Sequence, residues 1–270
     1  YRVMAFRHNA GTWIDAHCHL ADPRFDRDRE EVVARSRRAG VTAWVQGGVG
    51  PEDWTWQDKI AETLGDGLLR CFGLHPWWVA ERAPEEINAG LKTLGERLDS
   101  ARAIGEAGLD KGKRGRWEHS AKRQMNALLS QAQLAHLFGK PLVLHVVGAH
   151  AEALEILEKI GKFPAGGLVH SFNGSALQAQ RYAALGFLLS FGFSLAEPGD
   201  GGGKGALAAA AADRVALETD SPDRAPERGS RNEPSRLLEV ADAAAAIRGE
   251  TRKGLLDLSR DNLKRLFKLS

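Results

Sequence analysis

Eight short apolar, β-branched runs recur along the chain, at 13–19, 41–46, 68–74, 103–105, 141–146, 167–171, 187–194 and 214–219. An amphipathic stretch follows each, giving helical patterns at 27–39, 52–64, 84–98, 119–138, 151–160, 176–185, 204–211 and 234–248, with a further helix at 252–267. Such alternation reads as a parallel sheet, because parallel neighbours need a crossover long enough to return to the same edge. Eight units predict closure into a (β/α)8 TIM-type barrel, and 270 residues is close to the roughly 250 usual for that fold. Gly40, Gly139-Lys140-Pro141 and Gly186 fall where helices hand over to strands, where a residue free to turn left-handed is common. No Pro/Ser-rich linker or charge block divides the chain, so 1–270 reads as one domain with 1–11 as an irregular lead-in.

Charge excludes one class of partner. With 37 basic and 35 acidic residues the net charge is +2, so no global field marks a polyanion or membrane binder, and any polyanion must be gripped locally. Two cysteines, Cys18 and Cys71, with no CxxC spacing fit free thiols in a reducing compartment. No apolar run approaches the length of a membrane span and the N-terminus shows no signal-type stretch, so a cytoplasmic address is expected, with no obligate protein partner evident.

In a (β/α)8 barrel, side chains from many strands converge at the C-terminal strand ends. The first run carries His17 and His19, and residues two apart on a strand share a face, so both imidazoles can aim at one point. His75 follows the third run, Glu106 the fourth, His145 and His170 end the fifth and sixth, and Asp220 follows the eighth. His8, His119, His136 and His150 lie in the lead-in or in helices and read as surface or helix-flank residues. Four histidines and two carboxylates exceed the needs of one tetrahedral ion but suit two divalent ions sharing a bridging carboxylate. Six ionisable groups converging without a cation would carry a large desolvation cost. Imidazole mixed with carboxylate suits Zn²⁺, Mn²⁺ or Fe²⁺ better than Mg²⁺, so the expected cofactors are two divalent ions, zinc, manganese or magnesium.

The stretches Asp15-Ala16-His17-Cys18-His19-Leu20, Gly73-Leu74-His75-Pro76, Gly105-Glu106-Ala107-Gly108-Leu109-Asp110, Pro141-Leu142-Val143-Leu144-His145, Val169-His170-Ser171-Phe172-Asn173-Gly174-Ser175, Glu218-Thr219-Asp220-Ser221-Pro222 and Arg231-Asn232-Glu233-Pro234 run in that order across nearly the whole chain. In these the sequence resembles the TatD family of metal-dependent hydrolases, related to the amidohydrolase barrels. The resemblance implies that His17, His19, Glu106 and Asp220 hold one ion and Glu106, His145 and His170 the second. It also implies a Mg²⁺-dependent deoxyribonuclease, often a 3′-to-5′ exonuclease, with DNA as partner, single-stranded or at 3′ ends. Some members are D-aminoacyl-tRNA deacylases, so a metal-dependent ester or amide hydrolase stands as the alternative. Three departures concern substrate contacts: Val147 stands where members commonly carry an arginine, Asn173 replaces a threonine, and Asp223 replaces an aromatic residue after Pro222.

Asp220 is expected to orient a water and accept its proton. His75 is expected either to contact the scissile group or protonate the leaving oxygen, or to be a structural histidine before Pro76. Asp15 is expected on the ligand face, deeper in the barrel, either orienting an imidazole or serving as a polar packing residue of the barrel. Two basic loops, with Lys111, Lys113, Arg114 and Arg116 after strand 4 and Arg224, Arg228 and Arg231 after strand 8, offer phosphate contacts or solvated loops, and Arg231 is retained as a substrate contact. Trp77 and Trp78 offer stacking on an unpaired base or packing onto the next helix. The glycine-rich segment 198–205 fails the phosphate-loop pattern, since Pro198 replaces its first glycine and Gly205 its Ser/Thr, and reads as a surface loop or lid.

Overall fold

The computed structural model describes residues 12–112, 116–197, 199, 201, 203–227 and 229–270. Eight strands, β1 (Trp13–Cys18), β2 (Val41–Gln46), β3 (Leu68–Phe72), β4 (Ala103–Asp110), β5 (Leu142–Val147), β6 (Gly167–Val169), β7 (Phe187–Phe191) and β8 (Val215–Leu217), pair in parallel in sequence order. The seam between β8 and β1 is closed by the His19 N–H donating to the Ser221 carbonyl at 2.7 Å and the Asp220 N–H to the His17 carbonyl at 2.9 Å. The helices are α1 (Arg29–Arg38), α2 (Pro51–Leu64), α3 (Pro76–Ala80), α4 (Pro84–Glu96), α5 (Arg116–Phe138), α6 (His150–Ile160), α7 (Ala176–Leu185), α8 (Lys204–Ala209), α9 (Leu237–Arg248) and α10 (Arg252–Phe267). The expected (β/α)8 barrel is therefore the fold. Among the described residues no helix is long and apolar enough to cross a membrane.

Strand alternation divides the core in two. One side of each strand packs against the helices, as Leu142, Leu144 and Val146 of β5 do. The other side fills the barrel with Val45, Leu69, Val143, Leu168, Leu188 and Ala216, and Leu263, Leu266 and Phe267 of α10 join that interior layer. Two residues further along the same face, Val143 leads to His145, Leu168 to His170 and Ala216 to Glu218, so the polar site stands directly on this apolar plug.

Two strands break the alternation. Ile14 and Ala16 of β1 belong to the interior layer, yet Cys18 packs outward, and the β1–β2 register shifts between Asp15 and Cys18. In β4, Ala103 is interior and Ile104 outward, while Ala107 and Leu109 are outward again, with the β4–β5 register shifting between Ile104 and Ala107. Each irregularity inserts one residue and reverses parity, as a β-bulge does. The first turns His17 and His19 inward, and the second does the same for Glu106 and Asp110.

These shifts correct two expectations. β4 does not stop at 105 but continues through Asp110, with Asp110 paired to Val147, so Glu106 lies inside the strand. The glycines Gly105 and Gly108 disguised it, since a side chain added at either would collide with Val143 or with the His145 carbonyl of the adjacent strand. Asp15 is not on the ligand face: it accepts from the Thr219 hydroxyl at 2.5 Å and the Thr219 N–H at 2.9 Å, and so ties the β1–β8 seam. Burial pushes its carboxyl up to about 8. The segment after β3 contains a short helix, α3, that the apolar pattern did not reveal. In the segment 198–205, positions 198, 200 and 202 lie outside the described residues; Lys204 Nζ donates to the Glu197 carbonyl and, at 2.7 Å, to that of Gly199, closing the turn on itself.

Both cysteines are free and fully buried, and burial pushes both thiols up. Native protein is expected to leave Cys18 and Cys71 unreactive toward an aromatic disulfide reagent, with both titrating after unfolding in guanidinium; rapid reaction of either in the native state would contradict this packing.

Candidate metal centre

A single carboxylate organises the C-terminal end of the barrel. Glu106 is buried, and around it stand His170 Nε2 at 2.8 Å, His17 Nε2 at 3.4 Å, His145 Nδ1 at 3.5 Å and His75 Nε2 at 3.8 Å, all measured to Oε2, with His19 Nε2 at 3.4 Å from Oε1. Asp220 closes the ring, its Oδ1 lying 3.9 Å from His17 Nε2 and 3.8 Å from His19 Nε2. Six expected ligands from five strands are thus brought together, and His75 joins them. Asp220 holds a left-handed backbone, φ 55°, which aspartate tolerates better than most residues and which is set by the β8–β1 seam.

The donor set fits a cation. Both Glu106 oxygens, both His17 ring nitrogens and His170 Nδ1 are buried without a hydrogen-bond partner. Groups of this polarity are rarely left so unless something electropositive takes their lone pairs. Three sets have ligand atoms mutually within 4.8 Å: His17, His170 and Asp220; His17, His19 and Glu106; and His75, Glu106 and His145. Gly47 supplies the floor. A Cβ there would meet Glu106 Oε1 and His17 Cε1 at 2.7 Å and His19 Cε1 at 2.8 Å, so any side chain would occupy the space the ligand atoms face.

Hydrogen bonds at the far ring nitrogens decide what each imidazole presents. His145 Nε2 lies 3.0 Å from Asp110 Oδ2, and a carboxylate only accepts, so that nitrogen carries the proton and Nδ1 is the atom turned to Glu106. His75 is opposite in kind: its Nδ1 accepts from the Trp77 N–H at 3.0 Å, capping α3, which leaves the proton on Nε2. Of the third set, Glu106 and the neutral form of His145 have lone pairs to give, whereas His75 has a donor. Glu218 backs His170, with Oε1 3.7 Å from Nδ1 and accepting from the Ser171 N–H at 2.6 Å.

Charge follows from the same arrangement. Burial pushes the Glu106 carboxyl up, but the surrounding imidazoles, with the charge on His170, more than reverse this and hold the group well below the usual carboxylate range. Burial pushes His170 down, and Glu106 more than reverses this. His17 and His75 are lowered, chiefly by burial and then by neighbouring imidazoles, so both stay neutral. Burial raises Asp110, yet its bond with His145 brings it to about 2.

The rim is basic but largely paired. Arg231 lines a cleft of about 490 Å³ with Arg24, Arg27 and Pro222, and its guanidinium donates to Asp28 at 2.7 and 2.6 Å and to Glu233 at 3.2 Å. Arg224 is half exposed with Nε 3.8 Å from Asp220 Oδ2. Lys111 pairs with Glu152 and lies over the Trp117 ring. Lys113, Arg114 and Arg228, with the Arg116 side chain, lie outside the described residues. Trp77 stands half exposed at the mouth, while Trp78 packs beneath Arg82.

A parallel eight-stranded barrel whose C-terminal rim gathers imidazoles around a shared carboxylate defines the class of metal-dependent barrel hydrolases. The family model described as TatD related DNase matches residues 14–268. The uncharacterized metal-dependent hydrolase YabD of Bacillus subtilis is 31% identical over 260 residues, covering 95% of this chain and 99% of its own. The 3′-5′ ssDNA/RNA exonuclease TatD of a Rahnella species is 31% identical over 258 residues, covering 93% and 96%. The crystal structure of YjjV, a TatD homologue from Escherichia coli, superposes with a TM-score of 0.86 at 27% identity, covering 96% and 98%. The chain belongs to the TatD-related DNase family and is a metal-dependent hydrolase.

Sequence reasoning assigned no role to Asp110, Glu218 or Gly47. Asp110 was detectable, four residues from Glu106 on one strand face, once β4 is extended through both glycines. Glu218 was equally so, two before Asp220. Gly47 carried no signal, because its importance is the side chain it lacks. Gly47→Ala is expected to keep the barrel's circular dichroism, to destabilise by about 1–3 kcal/mol as over-packing does, and to lower bound metal roughly tenfold or more by elemental analysis. Wild-type metal content in that variant would remove Gly47 from the floor of the centre.

Proposed function

We propose that the chain is a two-metal phosphodiesterase acting on nucleic-acid ends, with His17, His19, Glu106 and Asp220 holding one divalent ion, Glu106, His145 and His170 the other, and Glu106 bridging. The observation that carries this is the Glu106 carboxylate, buried and ringed by five imidazoles at 2.8 to 3.8 Å, with Oε1 left without a hydrogen bond. When bound, divalent cations there supply Lewis acidity and make water nucleophilic near neutral pH.

The chain's own residues do the rest. Asp220, almost buried at the rim, accepts the proton of the attacking water. His75 donates from Nε2 toward the scissile phosphoryl or leaving oxygen, a role its neutral, Nδ1-capped state favours. Arg224 beside Asp220 offers a positive contact to the phosphate. The imidazole-rich donor set supports zinc or manganese over magnesium as the resident ion. The names of the Rahnella relative and of the human relative, deoxyribonuclease TATDN3, 28% identical over 264 residues, support a nucleic-acid substrate. The free, buried cysteines support a reducing, cytoplasmic setting.

Chelation is expected to abolish cleavage of a 3′-labelled single strand, and zinc, manganese or magnesium to restore it. Asp220→Asn is expected to bind metal yet lose roughly 10²–10⁴-fold in turnover, the range of a lost general base. Release of the amino acid from a D-aminoacyl-tRNA, with no shortening of the strand under any metal, would replace the nuclease reading by a deacylase.

A further inference from the structure

Trp77 is the second residue of α3, the short helix that begins where β3 reaches the rim. Half of it is exposed, which is unusual for an indole. Other large apolar side chains exposed to that degree, Leu137, Phe138 and Leu177, sit on α5 and α7, outside the ring of ligands, whereas the Trp77 ring lies 5.1 Å from His75 and 6.0 Å from His145 by centroid. Both imidazoles meet it near-perpendicular, at 74° and 67°, rather than stacked. Its orientation is imposed: the indole N–H donates to Asp110 Oδ2 at 2.6 Å, the same oxygen that receives His145 Nε2.

An exposed aromatic whose polar edge is bonded to the carboxylate behind the centre carries an energetic cost that the fold does not need. Packing would be served by burying the ring, as Trp78 is served under Arg82. An anchored ring loses little freedom when something lies against it, and every nucleobase has a π-face to offer. We infer that Trp77 is a stacking platform for the unpaired base adjoining the scissile phosphate, so that the site takes single-stranded or frayed ends, and that Asp110 is a positioning residue that fixes this platform relative to His145. The inference rests on the nucleic-acid reading of the centre. It deepens that reading by assigning the base contact: inside a duplex both faces of a base are covered by its neighbours, so the base that lies on Trp77 is one at a strand end or in an unpaired stretch.

The test compares metal-loaded wild type, Trp77→Ala, Trp77→Phe and Asp110→Asn on 3′-labelled oligodeoxynucleotides ending in a normal or an abasic residue. The reading is the ratio of kcat/KM on the intact end to that on the abasic end, which a general loss of fold or metal leaves unchanged. Wild type is expected to prefer the intact end by roughly 5- to 150-fold, the worth of one stacked base. Trp77→Ala should bring the ratio close to one, and Trp77→Phe should keep most of it. Asp110→Asn should lower the ratio and bound metal together. An unchanged ratio in Trp77→Ala overturns the platform while leaving the nuclease reading intact. Failure of wild type to shorten any strand with any metal overturns the nuclease reading, and the platform falls with it.

Discussion

The burial of one carboxylate constrains everything around it. Glu106 sits inside the barrel mouth at 1% exposure, and an unpaired ion so placed costs on the order of several kcal/mol. Imidazoles on four other strands or strand ends answer that cost, and each is then limited in what it can present. His145 is turned by Asp110, His75 by the start of α3, and His170 is backed by Glu218. None of these outer partners touches the space in front of Glu106, yet together they determine which nitrogens bring lone pairs to it and which brings a proton. The difference between five histidines arranged as a cluster and five arranged as a centre lies in that outer layer.

The inner layer explains how the groups reach one level. A barrel strand offers alternate residues to its axis, and the apolar plug uses that rhythm up to Val45, Val143, Leu168 and Ala216. Asp220 lies beyond β8 and is turned in by its left-handed backbone at the seam, whereas for β5 and β6 the same rhythm delivers His145 and His170 without adjustment. For β1 and β4 it does not: continued from Ala16 and Ala103, it would direct His17 and Glu106 outward among the helices. The register shifts in those two strands reverse parity just below the site, and they are where Glu106 and the first two histidines arise.

This also sets what was legible in the chain beforehand. The barrel was readable because eight runs and eight helical patterns carry their own periodicity, and the gathering of six side chains at one rim because each falls near a strand end. The depth of Glu106 in β4 was not, since Gly105 and Gly108 look like a turn until the neighbouring backbone they admit is known. Asp15 was misjudged for the same reason: counting by twos from His17 puts it on the ligand face, and the shift between Asp15 and Cys18 moves it to the seam. A bulge leaves no mark on hydrophobic alternation when the inserted residue is itself small or polar. The outer partners Asp110 and Glu218 were hidden because a carboxylate near histidines reads equally well as a ligand, a base or a support.

The rim completes the account of how a chain of almost balanced charge handles a charged substrate. Its arginines are numerous but committed: Arg24 bonds Asp22 and Asp223, Arg231 bonds Asp28 and Glu233, and Arg35 bonds Glu233 as well. Lys111 is held by Glu152. Paired cations displace few counterions when a polyanion arrives, so this part of the rim contributes shape and rigidity more than long-range attraction. Under the proposed function, affinity then comes from a small area: the cations the centre would hold, Arg224 beside Asp220, and the indole fixed by Asp110. On that reading the site grips one phosphate and its adjoining base rather than a length of strand, because the paired cations of the rim leave little else to hold it.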